Sequence, residues 1–233
     1  MKFPWEILGY PLYDKIWKDL SFNKDQVKII TTSLHGKRKI LELGCGVGNT
    51  THALHGLGKE VYSFDYNKEA VEYVRRKIGR MHLGRVQIIR WDINRLSDFI
   101  KGKGFEGHFD GACSASNMGY FDIVPVVKTV YDALSEGGVF AITGFESQLM
   151  DRFEKSQGNE VVQLVDSGHI QFSEKDMKRI EELIQKRARG QMNMQYNRDS
   201  LRRTEEALLQ VGFHVMSQGH FHHDLCYYII VRK

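Results

Sequence analysis

The apolar and polar positions of the chain alternate between two spacings, so that short buried strands and amphipathic helices follow one another. Lys39–Leu43, residues 59–64 and residues 85–90 have the compact apolar character of buried strands. Helices are predicted between them, the clearest over Lys68–Ile78, where Asn67 is placed to cap the first turn. Ahead of the first strand, residues 12–20 and 25–34 read as two short amphipathic helices, the first presenting Tyr13, Ile16, Trp17 and Leu20 on one face. Towards the other end, residues 174–189 and 200–210 read as helices. Residues 211–215 and 227–231 then read as two strands joined through residues 218–225. Alternating strands and helices predict an α/β domain with a mostly parallel sheet.

One junction says more than the rest. After the first strand comes Gly44-Cys45-Gly46-Val47-Gly48-Asn49-Thr50, three glycines at spacing two, which let the backbone turn tightly where a Cβ would strike a ligand. Asn49 or Thr50 can cap the helix that follows, and the free N–H groups of its first turn favour a negative or hydrogen-bond-accepting group. About twenty residues on, Asp65 ends the second strand, where one carboxylate can accept both hydrogen bonds of a ribose diol. Together these residues point to a nucleoside-bearing ligand.

Glu42, two positions before the first glycine, and the spacing G-x-G-x-G resemble motif I of the class I S-adenosylmethionine (SAM) dependent methyltransferases. The dinucleotide fingerprint would need a glycine at Asn49. The resemblance extends to Trp91-Asp92-Ile93, where the family's acid accepts from the adenine amino group and the next residue lies against the ring edge. It includes residues 109–114 as the fourth strand and 134–142 as the glycine turn and fifth strand, covering about residues 38–145 in all. It implies a Rossmann-like α/β fold: a seven-stranded, mostly parallel sheet with an antiparallel C-terminal hairpin, helices on both faces and a helical insertion after the fifth strand. The implied cofactor is SAM, with S-adenosylhomocysteine as product. The residues carried over as its contacts are Glu42, Gly44, Cys45, Gly46, Gly48, Asp65, Tyr66, Asp92, Ile93 and Cys113. Asp65 and Asp92 also have a plainer reading as helix caps. The chain divides into an N-terminal helical cap (1–37), a SAM-binding core (38–145), a substrate-covering insertion (146–198) and a C-terminal helix and hairpin (199–233), all within a single methyltransferase domain.

Composition narrows the function. With 233 residues and 42% hydrophobic content the chain builds one full core, and its net charge of +4 demands no acidic partner. Cys45, Cys113 and Cys226 are scattered and odd in number, which argues against a disulfide framework and for a reducing compartment, the cytoplasm. No run of eighteen apolar residues occurs, so neither secretion nor a membrane span is expected. The basic residues of 174–189 are interleaved with acids, as on a solvated surface, and nucleic acid is disfavoured as a partner. The run His220-Phe221-His222-His223-Asp224 suggests metal ligands, but successive strand residues face opposite ways, so no metal site is expected.

For a base, His169 in the insertion and Tyr120 beyond the fourth strand are the leading candidates, with His220 and His222 behind them. The stretch Ser114–Tyr120, written out as Ser-Ala-Ser-Asn-Met-Gly-Tyr, lacks the Asn-Pro-Pro-Tyr run of many enzymes that methylate amino groups of bases or glutamine. Asn117 there reads equally as a substrate contact or a turn cap. Trp5, Tyr10, Tyr13 and Trp17 could line a substrate entrance or simply pack. The expectation is a methyltransferase acting on O or N of a small metabolite, with a homodimer left open. Its rivals are a methyltransferase for RNA or protein, a catalytically silent SAM-binding module and a nicotinamide-dependent oxidoreductase.

Overall fold

The computed structural model describes residues 8–79, 85–188 and 200–233. Trp5, Arg189 and residues 190–198 of the insertion therefore lie outside the described residues. Seven strands form one sheet in the order β3-β2-β1-β4-β5-β7-β6: β1 Lys39–Leu43, β2 Glu60–Asp65, β3 Val86–Arg90, β4 Phe109–Ala115, β5 Leu134–Phe145, β6 His214–Phe221 and β7 Cys226–Arg232. All neighbours from β3 to β5 are parallel, and β7 lies antiparallel between β5 and β6.

Strand alternation sends side chains to two separate cores. Leu41, Leu43, Tyr62, Phe64, Phe140, Ile142, Tyr227 and Ile229 face one side. They pack there against helices α5 Leu96–Lys103, α6 Ile123–Ala133 and α9 Leu201–Val211. Ile40, Val61, Cys113, Val139, Ala141 and Ile230 face the other, beneath α2 Ser21–Ser33 and α3 Asn49–Gly56. Helix α4 Lys68–Ile78 adds Val71, Val74 and Ile78 over Ile88 on that same side. Burying each such side chain contributes about 1.5–3 kcal/mol, so the sheet is the stable frame of the molecule. Close approach of β5 and β7 depends on Gly144, because a Cβ there would strike the fully buried Tyr227 ring. Tyr227 Oη in turn lies 2.8 Å from Thr204 Oγ1 on α9.

A third cluster sits over the carboxyl ends of the strands. It joins helix α1 Tyr10–Trp17 to α7 Met150–Asp166 and α8 Glu174–Ala188 through Leu12, Ile16, Phe22, Phe145, Val161, Leu164, Ile180 and Leu183. The N-terminal cap and the insertion, far apart in sequence, thus form a single lid.

Several element bounds differ from expectation. Helix α1 starts at Tyr10, with Pro11 in its first turn, and α2 starts at Ser21, which brings Phe22 and Asn23 into the helix. Helix α7 went unforeseen because it is polar on average, with Gly158 inside it, and its apolar face is defined only by packing on α1. Strand β6 runs on to Phe221, since pairing with Cys226 on β7 sustains it. Its connection to β7 is correspondingly short, with His222, His223 and Asp224 all at left-handed φ. Among the described residues no helix is long and apolar enough to cross a membrane.

Candidate cofactor and acceptor cleft

The strand order reverses between β1 and β4, and the crevice at their carboxyl ends is where open α/β sheets bind ligands. Here the chain leaves β1 in a turn held by backbone bonds, with the N–H groups of Gly44 and Cys45 both donating to Phe64 O at 2.8 and 3.1 Å. Gly44 has φ +80°, and a Cβ on it would collide with the Asn117 amide. Gly46 instead faces open space, which gives a ligand direct access to the backbone. Helix α3 begins with Gly48 as its N-cap and no capping side chain, so its first N–H groups are left for another acceptor. The predicted caps are otherwise employed: Asn49 Oδ1 accepts from Lys77 Nζ at 3.1 Å.

Asp65 stands at the end of β2, 9% exposed. Its Oδ2 accepts from Gly46 N at 3.0 Å and its Oδ1 from Asn67 N at 2.9 Å. Burial raises its carboxyl above the usual range, while those two backbone N–H groups oppose the shift. The cap of α4 is Asn67, whose Oδ1 accepts from Glu69 N and Ala70 N, so Asp65 is not needed for that role. Asp92, by contrast, does cap the short 3-10 turn Ile93–Arg95 through Asn94 N at 3.0 Å.

The cleft has two arms that share Tyr66, Ile93, Tyr120 and Phe121. One arm runs along the glycine turn beneath Tyr10, Tyr13 and Trp17 of the lid; the other passes Trp91, Asp92 and Asn94. The lid is fastened by Asp14, which is 7% exposed. It accepts from Tyr73 Oη at 2.7 Å and pairs with Lys77 Nζ at 2.8 Å. The same Lys77 ammonium donates to Val47 O at 3.0 Å, so one cation ties α1 to the glycine turn. A second fastening joins α2 to α7, where Ser21 N donates to Glu160 Oε1 at 2.7 Å. His222 lies beside it, with Nδ1 3.4 Å from Ser21 Oγ and Nε2 3.2 Å from Gln157 Nε2. Burial lowers the His222 pKa and favours the neutral ring.

A protein-family model described as a methyltransferase domain matches residues 40–138. That span runs from β1 through the glycine turn, Asp65 and Asp92 to the turn of β5. Residues 40–138 are therefore similar to methyltransferase domains, and the chain has the Rossmann-like fold of the class I SAM-dependent methyltransferases. The curated Bacillus subtilis protein named "Putative methyltransferase YqeM" is 24% identical over 133 residues, 55% of this chain and 50% of that protein. The chain therefore matches about half the length of this curated relative. Among solved structures, an S-adenosylmethionine dependent methyltransferase from Mesorhizobium loti superposes with a TM-score of 0.62 at 18% identity, over 93% of this chain and 100% of that one. Phosphoethanolamine N-methyltransferase 2 of Haemonchus contortus, in complex with S-adenosyl-L-methionine, gives 0.65 at 15% identity, over 97% and 57%. At these identities the structural likeness is one of fold.

Within the matched span, Gly44, Cys45, Gly46, Asp65, Tyr66 and Ile93 line the main arm, and Asp92 lines the second. Three expected contacts fall elsewhere. Gly48 turns its open side to Val74, 2.9 Å from where a Cβ would sit. Cys113 is fully buried against the α2 and α3 side of the sheet, where burial pushes its thiol pKa well up. Glu42 lies under the turn rather than in the cleft, with Oε2 accepting from Thr51 Oγ1 at 2.7 Å and Oε1 buried without a partner. Burial pushes its pKa up to about 7.

Tyr120 is in the cleft, at the junction of the two arms. His169 is not: it follows the Gly168 turn on the outside of the lid, its side chain 57% exposed and its Nε2 3.8 Å from Asp19 Oδ1. His220 is also displaced, bonded to Glu146 Oε1 at 3.1 Å beside Leu201. Asn117 resolves as a staple, its Nδ2 donating to Leu43 O, Gly44 O and Ala115 O. Among the described residues no cluster of three or more His, Cys, Asp or Glu is arranged to hold a metal. Sequence reasoning missed Asn23, Gln26 and Ser116, which line the main arm. The signal was two amides at i, i+3 on the inward face of an amphipathic helix.

Proposed function

We propose that this chain is a SAM-dependent methyltransferase that transfers a methyl group to oxygen or nitrogen of a small metabolite. The observation that carries the reading is Asp65, a buried carboxylate at the end of β2 that already orders Gly46 of the glycine turn and lines the same arm. A ribose diol placed there would meet one carboxylate able to accept both hydroxyls. Gly46 and the free N–H groups opening α3 would hold the polar tail, and Tyr66, Asp92 and Ile93 would hold the base. When bound, SAM supplies a methyl group already activated on a sulfonium.

The remaining work falls to this chain's own residues. The lid helix lays Tyr10, Tyr13 and Trp17 over the cleft and excludes water, and Tyr120 orients the acceptor from the far side. A cleft roofed in this way suits a small acceptor better than RNA or a protein surface. The Haemonchus contortus neighbour, named for a small amine substrate, agrees with that scale. All three cysteines are free and buried, in keeping with a reducing compartment and a cytoplasmic enzyme.

Calorimetric titration with S-adenosylhomocysteine, and with NADH as control, tests the cofactor assignment. Micromolar binding of S-adenosylhomocysteine alone is expected. Asp65→Ala should weaken it at least 100-fold, since two hydrogen bonds to a charged group contribute about 1.5–3 kcal/mol each. Binding of NADH in its place would overturn the reading.

A further inference from the structure

Helix α2 brings to the cleft polar groups that the proposed cofactor contacts do not include. Asn23 and Gln26 stand one turn apart on α2, each 4% exposed, and both line the cleft. Gln26 Oε1 accepts from the Ser116 hydroxyl, which leaves its amide N–H₂ as the group available to a ligand. The Asn23 side chain makes no hydrogen bond among the described residues. It opens on the cleft, where a ligand bearing matching groups can take the place of water.

The surroundings are flat and apolar. Tyr13 and Trp17 stack at 5.0 Å with an interplanar angle of 21°, Trp17 meets Phe22 edge-on at 5.0 Å, and Phe22 lies 5.6 Å from Phe145. Among the described residues the main arm is lined by no Lys, Arg or His, and its one carboxylate is Asp65, on the cofactor side. Among these residues an anionic acceptor would be desolvated without a cation, and a cationic one without an anion of its own. The aromatic faces alone could attract a cation, but the amide N–H₂ of Gln26 presents a donor and calls for a lone pair.

Resting on the methyltransferase reading, we propose that the methyl acceptor is an uncharged, flat nitrogen compound, an N-heteroaromatic or aryl amine stacked against Tyr13 and Trp17, with a second lone-pair-bearing atom held by the Asn23 and Gln26 amides so that the reacting nitrogen keeps its own lone pair free. Such a nitrogen also fits the absence of a His or Lys base from the described lining, because its lone pair attacks before any proton need leave. The lone pair forms the N–CH₃ bond as the C–S bond breaks. The bonding pair of C–S stays on sulfur, which becomes a neutral thioether. Nitrogen takes the positive charge, and where it carries an N–H the proton passes to water.

The test is titration of the S-adenosylhomocysteine-loaded protein with three matched probes: quinoline, quinoline-4-carboxylate and N-methylquinolinium. Quinoline is expected to bind at least tenfold more tightly than either charged relative. Asn23→Leu and Gln26→Leu should each weaken quinoline at least fivefold while S-adenosylhomocysteine affinity stays within twofold. Gln26→Glu keeps the shape of the side chain and should reverse the preference towards N-methylquinolinium. Equal or tighter binding of a charged probe, no binding of quinoline to loaded protein, or indifference to all three substitutions overturns the proposal and leaves the cofactor reading standing. Failure of S-adenosylhomocysteine itself to bind overturns both.

Discussion

The floor and the roof of the cleft are built in opposite ways. The floor comes from one run, residues 42–50, and the ends of β2 and β4, and backbone hydrogen bonds hold it at 2.8–3.1 Å to Phe64 O. The roof is assembled from remote parts of the chain by side chains: Asp14 meets Lys77 across 63 residues, and Ser21 meets Glu160 across 139. A backbone turn on a seven-stranded sheet opens only with the sheet, whereas a few side-chain contacts, from the partly buried Asp14–Lys77 pair to the exposed Ser21–Glu160 bond, open locally. Under the proposed function the difference would divide the two jobs of the site between a preformed cofactor floor and a roof that opens to admit an acceptor.

The comparison breaks most severely at Gly44. Gly44→Val would place a β-branched residue at φ +80° against the Asn117 staple, with backbone strain alone of about 1–3 kcal/mol. A fall in melting temperature and loss of S-adenosylhomocysteine binding by more than 100-fold are expected; unchanged melting would mean that the floor is not the rigid half. Lys77→Met acts on the roof. It removes the only cation paired with Asp14 among the described residues, in a partly buried setting, and should weaken S-adenosylhomocysteine about tenfold in calorimetry and lower the melting temperature less than Gly44→Val does.

Glu42 sharpens the contrast through pH. Its carboxyl is held up to about 7 by burial, so the folded protein binds more protons than the unfolded chain between the usual carboxylate range and pH 7. Stability from this group is complete at acid pH and declines as pH rises through that window. Glu42→Gln keeps an acceptor for Thr51 and removes the ionisation. Its melting temperature should exceed wild type at pH 8 and match it near pH 4, as scanning calorimetry would show. The smallest effect belongs to His169→Gln, which should leave S-adenosylhomocysteine affinity within twofold because His169 lies outside the cleft.

What could be read from residues alone follows the same division. The glycine run, Asp65 and the buried strands are local signals, and they led to an α/β sheet and the floor of the cleft, while the seven-stranded topology came from the family resemblance. Helix α7 and the joining of α1 to the insertion were not legible, because Phe22 against Phe145 or Ser21 against Glu160 is a pairing that only the folded chain defines. His169 misled for a related reason: its chemistry was suitable, but the Gly168 turn carries it to the outer face. Asn23 and Gln26 were passed over because two amides on a helix look like ordinary surface until the cleft is seen beside them. Cys113 and Glu42 illustrate the converse, since both stand in the expected strands but do not line the cleft.

Amide hydrogen exchange of wild type and Lys77→Met, read by mass spectrometry, tests the division between floor and roof most directly. The account predicts faster exchange in residues 10–33 of the variant, with β1, β2 and the Phe64-bound amides of Gly44 and Cys45 as protected as in wild type. Equal acceleration in lid and sheet, or none in the lid, would contradict it.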